Sequence, residues 1–242
     1  MRENYKKHFS SSIKLIYSDN NIAVILKPSG LLTVPYPGSR EKTALSELEE
    51  LMRKSGSWSK NHRPFAVHRL DKETSGIMMF ALNQKACRII CDTWQTMVKQ
   101  RLYHAIAENP EINAHYPKLP ENGIIDLPLT QNKYHQSYVP KEDDIRTKKL
   151  KTEKAITHFS ILKANEKYTL FELDLETGRK NQIRAHLAYF GYPLAGDTHY
   201  RAKTNPLGTL ALHARSLSFV HPFTKEEMHF EQKENHTWEK LF

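Results

Sequence analysis

Asp71 stands in the stretch His68-Arg69-Leu70-Asp71-Lys72-Glu73-Thr74-Ser75-Gly76, between the apolar pieces Pro64–Val67 and Ile77–Leu82. A turn joining two strands needs one or two polar residues, and this junction carries many more. Taken alone, an aspartate in "DKET" accepts backbone N–H groups and shapes the turn. Its neighbours add a second reading. Arg69 before it, Thr74 and Ser75 after it, and Gly76, where the backbone can approach closely, surround one carboxylate with donors. Such a setting keeps an acid ionised inside a site. The residue types leave both readings open.

A second constellation is Thr177-Gly-Arg-Lys-Asn-Gln-Ile-Arg184. Arg179 and Lys180 fall where a helix should begin, so free N–H groups and the helix dipole favour an anion there. That describes a phosphate or carboxylate clamp as well as a catalytic centre. Arg184 comes one turn later, beside the apolar stripe Ile183, Leu187 and Phe190, and an arginine so placed requires an acidic partner. Other chemistries drop out. The chain has no G-x-G-x-x-G, no Walker-type loop, no H-E-x-x-H and no G-x-S-x-G. Neither a redox cofactor nor a metal is therefore expected. Cys87 and Cys91, one helical turn apart without a second pair, read as core packing rather than a metal site.

These groups need elements to hold them. "IKLIYSDNNIAVILKPSG" reads as two strands around an Asp-Asn-Asn turn, closed by Pro-Ser-Gly. "TALSELEELM" places Leu45, Leu48 and Met52 on one helical face, and Ala86, Ile90, Trp94 and Met97 repeat at helical spacing after the cap Asn83. "LYHAIA" returns to strand and points Tyr103 one way and His104 the other. "AITHFSIL" and "YTLFELDLE" alternate as an antiparallel hairpin, and Gly191 ends the helix that carries Arg184. Residues 109 to 153 are polar, with scattered prolines, and then turn strongly basic. Strands and helices interleave without a βαβ rhythm, which predicts an α+β fold on a mixed, mostly antiparallel sheet flanked by helices.

At 242 residues the chain fits one large domain or two halves, and 39% hydrophobic residues suffice for a folded interior. Lys and Arg number 36 against 27 Asp and Glu, a net charge of +9, which points to a polyanionic partner. The run "RTKKLKTEK", residues 146 to 154, is either a solvated face or an RNA-contacting edge. No apolar run has membrane-spanning length, and the basic N-terminus lacks the apolar core of a secretory signal, so a cytoplasmic protein without a membrane partner is expected.

The stretch "HRLDKETSGIMMFALN" resembles the signature of the RluA-type pseudouridine synthases, which places the catalytic aspartate at Asp71. "IYSDNNIAVILKPSGLLTVP", "VKQRLYHAIAE", "GIIDLPL", "TGRKNQIRAHLAYFGYPLAGDTHY" and "LHARSLSFVHPFT" resemble further family segments in the same order, from about residue 15 to 225. Asn181 departs from the family's usual His. The resemblance implies a pseudouridine-synthase-like sheet split by a basic active-site cleft, with Asp71, Tyr103 and Arg184 at its floor. It implies one catalytic domain over residues 1–242, without the small N-terminal RNA-binding domain of many relatives, and a monomer. Tyr103 would pack against a flipped uracil, although a core tyrosine is the alternative. Arg69 would fill the gap the base leaves, or form a surface ion pair, and Arg184 would hold the Asp71 carboxylate. Thr74, Arg179, Lys180 and Gln182 complete the expected substrate contacts, and Lys27 has no assigned role. The substrate would be ribosomal or transfer RNA. A non-catalytic RNA-binding or RNA-folding module on the same fold is the rival, and a phosphate-clamping hydrolase a weaker one.

Overall fold

The computed structural model describes residues 12–111, 115–144 and 150–242. The start of the basic run, 146 to 149, lies outside them. The chain divides into two compact units, the first reaching Met97 and including Pro222–Lys225, the second formed by Val98–His221 and Glu226–Phe242.

The first unit is built on β1 (Lys14–Ser18), β2 (Ile22–Lys27), β3 (Phe65–Ala66) and β4 (Ser75–Ala81). β2 pairs antiparallel with β1 and with β4, and β3 adds to the far end of β4. The turn between β1 and β2 forms as its sequence predicts, with Asp19 Oδ1 accepting the N–H groups of Asn21 and Ile22. β2 and β4 are buried along nearly their whole length, which explains their unbroken apolar runs. Helix α1 (Ala44–Lys54) starts at a capping box of Thr43 and Ser46. Its buried face is Ala44, Leu48 and Met52, so Leu45 is displaced from the expected stripe by the smaller Ala44. Asn83 Oδ1 accepts the Ala86 N–H at 2.8 Å and opens helix α2 (Gln84–Met97) as expected. Cys87 is only half-buried there and Cys91 is exposed, so the core-packing reading fails for this pair. Their helical face turns outward between the buried Ala86 and Ile90.

The second unit contains β5 (Val98–Glu108), β6 (Asn122–Asp126), β7 (Thr130–Gln131), β8 (Ser137–Tyr138), β9 (Ile156–Ala164), β10 (Tyr168–Leu175), α3 (Gln182–Tyr189), β11 (Leu212–Val220) and β12 (Glu227–Glu231). Its sheet runs β11-β5-β10-β9-β6, with β12 also on β11, and β7 and β8 form a separate ribbon. The strand pairs of this unit are antiparallel, and an isolated parallel bridge joins Leu32 to Thr43 in the first unit. β6, β7 and β8 arise inside the polar, proline-containing stretch to which no element was assigned. The reason is burial: β6 lies at the end of the strand order and buries only Ile125, while Ile124 is 60% exposed, so the pattern that marks a half-buried strand is missing. Phe171 anchors the interior, edge-on to Phe159 and to Tyr192. Gly191, at φ +83°, ends α3 as its sequence position predicts.

Candidate active site

The loop carrying Asp71 is tied down residue by residue within the first unit. His68 Nε2 accepts the Met79 N–H at 2.9 Å, and its ring lies 4.7 Å from that of Trp94. Leu70 is pinned from both sides, since Thr33 Oγ1 donates to its carbonyl at 2.8 Å and accepts its N–H at 3.2 Å. Gly30 N–H and Ser29 Oγ donate to the carbonyls of Lys72 and Glu73. Between these anchors Asp71 is half-buried, Arg69 is exposed and Thr74 is buried, with its N–H closing a turn onto the Asp71 carbonyl. Lys72 leans away to Glu41 at 2.8 Å. The polar excess therefore divides: several of these groups hold the loop, while Asp71 and Arg69 remain accessible.

Lys27, which the sequence left without a role, is the centre of this arrangement. It is fully buried at the end of β2, and its Nζ donates to the carbonyls of Pro28, Leu31 and Lys72 at 3.0, 2.6 and 3.1 Å. Burial pushes its ammonium down from an ordinary value of 10.5 to about 7, against the opposing attraction of the Glu73 and Asp71 carboxylates. One buried cation thus gathers the Lys-Pro turn and the Asp71 loop, and attracts the carboxylate beside it. A lysine ending an apolar strand just before Pro-Ser-Gly was the available signal.

In the second unit, Tyr103 is buried on β5 opposite Leu173 of β10 and Ala214 of β11. The register of β11 against β5 slips between Ala214 and Ser216, next to Tyr103. A bulge of this kind changes the direction in which neighbouring side chains point. Arg184 has the acidic partner its sequence position demanded: Nε and one terminal nitrogen bind the two oxygens of Asp197 at 2.6 and 2.8 Å, and both side chains are buried. Its guanidinium also lies 5.1 Å from the centre of the Tyr200 ring. Asp197 follows Gly196, which takes φ +84° with the Thr209 carbonyl so near that a Cβ would collide with it. The Gly-Asp pair after the helix was visible in the sequence, but not its partner.

The start of α3 differs from the simple clamp expected of it. Asn181 takes the N-cap position with a left-handed backbone, φ +52°, and makes no side-chain cap bond. Gln182 substitutes from within. Its Oε1 accepts from Thr177 Oγ1 at 2.7 Å and the Arg179 N–H at 3.0 Å, and its Nε2 donates to the Ile156 carbonyl and to Thr157 Oγ1, both at 2.9 Å. With four protein partners and almost no exposure, Gln182 positions the turn. Thr157 Oγ1 in turn bonds His186 Nδ1, whose Nε2 donates to the Leu127 carbonyl. Burial drives His186 down to about 4, so it is neutral at pH 7, and this fixes the direction of every bond in the chain. Arg179 reaches back to the Lys154 carbonyl and, at 3.4 Å, to Glu153, while Lys180 is exposed.

The first unit thus displays Asp71 and Arg69 on a loop leading into a buried strand, and the second carries Tyr103 within β5 and Arg184 on α3, held by side chains that are themselves buried, which is the construction of an α+β enzyme. The sequence matches the RNA pseudouridylate synthase family over residues 21–189. It is 34% identical over 220 residues to the uncharacterized RNA pseudouridine synthase YlyB of Bacillus subtilis, covering 90% of this chain and 68% of that protein. It is 28% identical to tRNA pseudouridine synthase C of Vibrio parahaemolyticus, covering 95% and 94% of the two chains. The fold matches that of human RNA pseudouridylate synthase domain containing 4 with a TM-score of 0.69, over 94% of this chain and 92% of that one, at 22% identity. The chain belongs to the RNA pseudouridylate synthase family, whose members are isomerases.

Proposed function

We propose that this chain isomerises specific uridines of ribosomal or transfer RNA to pseudouridine, with Asp71 as the essential carboxylate and no cofactor. The observation that carries the reading is the locked Asp71 loop, in which Lys27 and Thr33 spend buried hydrogen bonds on holding a half-buried carboxylate in place. The reaction breaks the bond between uracil and ribose, turns the base, rejoins it through ring carbon 5 and releases the proton from that carbon. No oxidant enters and nothing is consumed. It requires an ionised carboxylate as nucleophile or base, and a base taken out of its stack. Arg69 takes the place the base leaves, and Tyr103 packs against the displaced ring. Arg184 serves as the cation of the second unit, its pairing with Asp71 tested by a double-mutant cycle. Arg179 and Lys180 meet phosphates, Thr74 shapes the loop, and the protein works in the cytoplasm as a monomer, its two units acting as one catalytic domain. The likeness to a tRNA pseudouridine synthase makes transfer RNA the first substrate to try.

The test is release of tritium from RNA labelled at uracil carbon 5, without added metal or nucleotide. Wild type should turn over, and Asp71→Asn should fold and bind RNA with no detectable release. Turnover in Asp71→Asn would move the chemistry to another residue. Wild type that binds RNA without turnover would leave the non-catalytic module as the function.

A further inference from the structure

The second unit contains a cavity of about 770 Å³ that the reaction leaves unassigned. It is within the range of ordinary ligand sites, roughly 300–1,000 Å³. We propose that it is a second nucleotide subsite, which receives an unstacked base of the RNA near the modified uridine; this rests on RNA being the substrate. Four tyrosines line it: Tyr116, Tyr138, Tyr189 and Tyr200. Tyr189 on the last turn of α3 and Tyr116 are 38% and 47% exposed, so these rings present area that the core does not use. Tyr116 lies directly over Gly191, where any Cβ would collide with the ring, so the glycine that ends α3 also makes room for the wall. Aromatic faces suit any base, because every base has a π-face to stack.

The rim supplies the polar edge. Asn132 Oδ1 accepts the N–H groups of Tyr134 and Gln136, and its Nδ2 donates to Gln136 Oε1. Gln136 Nε2 donates to the His199 carbonyl at 2.6 Å. Those bonds orient both amides and use one side-chain N–H of each, which leaves a second N–H on each for a base edge. Arg201, exposed at the cavity wall, is held at φ +67°, a backbone region that non-glycine residues rarely adopt. It offers a guanidinium for the phosphate that accompanies the base. The acidic wall residues are already engaged, Glu108 by the N–H groups of Lys203 and Thr204 and the Thr204 hydroxyl, and Glu111 by the Lys203 ammonium. Tyr200 is also the ring beneath the Arg184 guanidinium, and Ala185 and Ala188 of α3 form part of the wall. The cavity wall thus shares the Tyr200 ring with the Arg184–Asp197 pair.

The experiment uses the whole protein and a short single-stranded RNA of mixed sequence carrying 4-thiouridine. Crosslinks should map to residues 132–138 and 189–201. Tyr189→Ala should weaken RNA binding about tenfold, Tyr189→Phe should restore it, and Arg201→Ala should flatten the salt dependence by about one phosphate contact. In turnover, these losses should appear in KM, with kcat kept. The proposal is overturned if Tyr189→Ala and Arg201→Ala bind RNA as wild type does, or if the crosslinks fall elsewhere. It is also overturned if free adenosine or uridine monophosphate binds there more tightly than the RNA, which would make this a small-molecule site. Should wild type bind RNA with these crosslinks and losses but never isomerise it, the proposed function falls and the subsite stands.

Discussion

Each unit buries one cation at the foot of its candidate site, and the two are held in opposite ways. Lys27 in the first unit faces three backbone carbonyls, while Arg184 in the second is clamped by both oxygens of Asp197. Carbonyls compensate a buried charge only in part, so burial wins and the Lys27 ammonium titrates at about 7. A guanidinium keeps its proton, and the bidentate carboxylate repays more of its desolvation. The lysine ties pieces of backbone together and can lose its charge near neutral pH; the arginine pair provides a fixed charge with defined direction.

Removing the carboxylate should separate the two most sharply. Asp197→Ala leaves a buried guanidinium without its anion and should cost about 3–5 kcal/mol in urea unfolding, whereas Asp197→Ala combined with Arg184→Met should recover much of that loss. Equal destabilisation of the single and double variants would mean that the pair is not the unit holding α3.

Lys27→Met should cost less, about 1–3 kcal/mol at neutral pH, for carbonyls left without a donor. Its pH dependence gives the sharper test. Folding lowers the lysine's pKa, so between about pH 7 and 10.5 the unfolded chain binds more protons than the folded one. Wild-type stability should therefore rise with pH across that window relative to Lys27→Met, with a slope approaching about 1.4 kcal/mol per pH unit. A constant difference between the two would show that the ammonium stays charged and the carbonyl cage is sufficient. Because the same lysine holds the Lys72 carbonyl, turnover should fall by more than stability does.

The smallest effect belongs to an exposed cation of the second unit, Arg179. Arg179 pairs with Glu153 at 3.4 Å in solvent, so Arg179→Ala should change stability by less than about 1 kcal/mol. Its consequence should appear in RNA affinity and its salt dependence; no change there would leave Arg179 as a backbone strut to the Lys154 carbonyl.

Much of this was legible beforehand, for physical reasons. The β1–β2 turn, the Asn83 cap and the Gly191 stop are local interactions between residues close in sequence, and each forms where its residues predicted it. β6 was not legible, because an edge strand that buries a single side chain leaves no alternation to read, and β7 and β8, at two residues each, are too short to show a period. The Arg179 N–H before α3 is satisfied by Gln182, whose opposite end is fixed by β9, and no local pattern shows that partner. Cys91 showed helical spacing without revealing which face was covered.

The sequence by itself determined the family, the polar Asp71 loop and the elements that carry its residues, because motif order, hydrophobic period and turn chemistry are written in neighbouring residues. Only the tertiary structure decided what each buried polar group is paired with. Lys27 finds the Lys72 carbonyl 45 positions away, Thr33 finds Leu70 across 37, and Arg184 finds Asp197 across 13. Desolvation makes those pairings obligatory, but which partner satisfies them depends on how strands and turns close in space, and no local pattern records it.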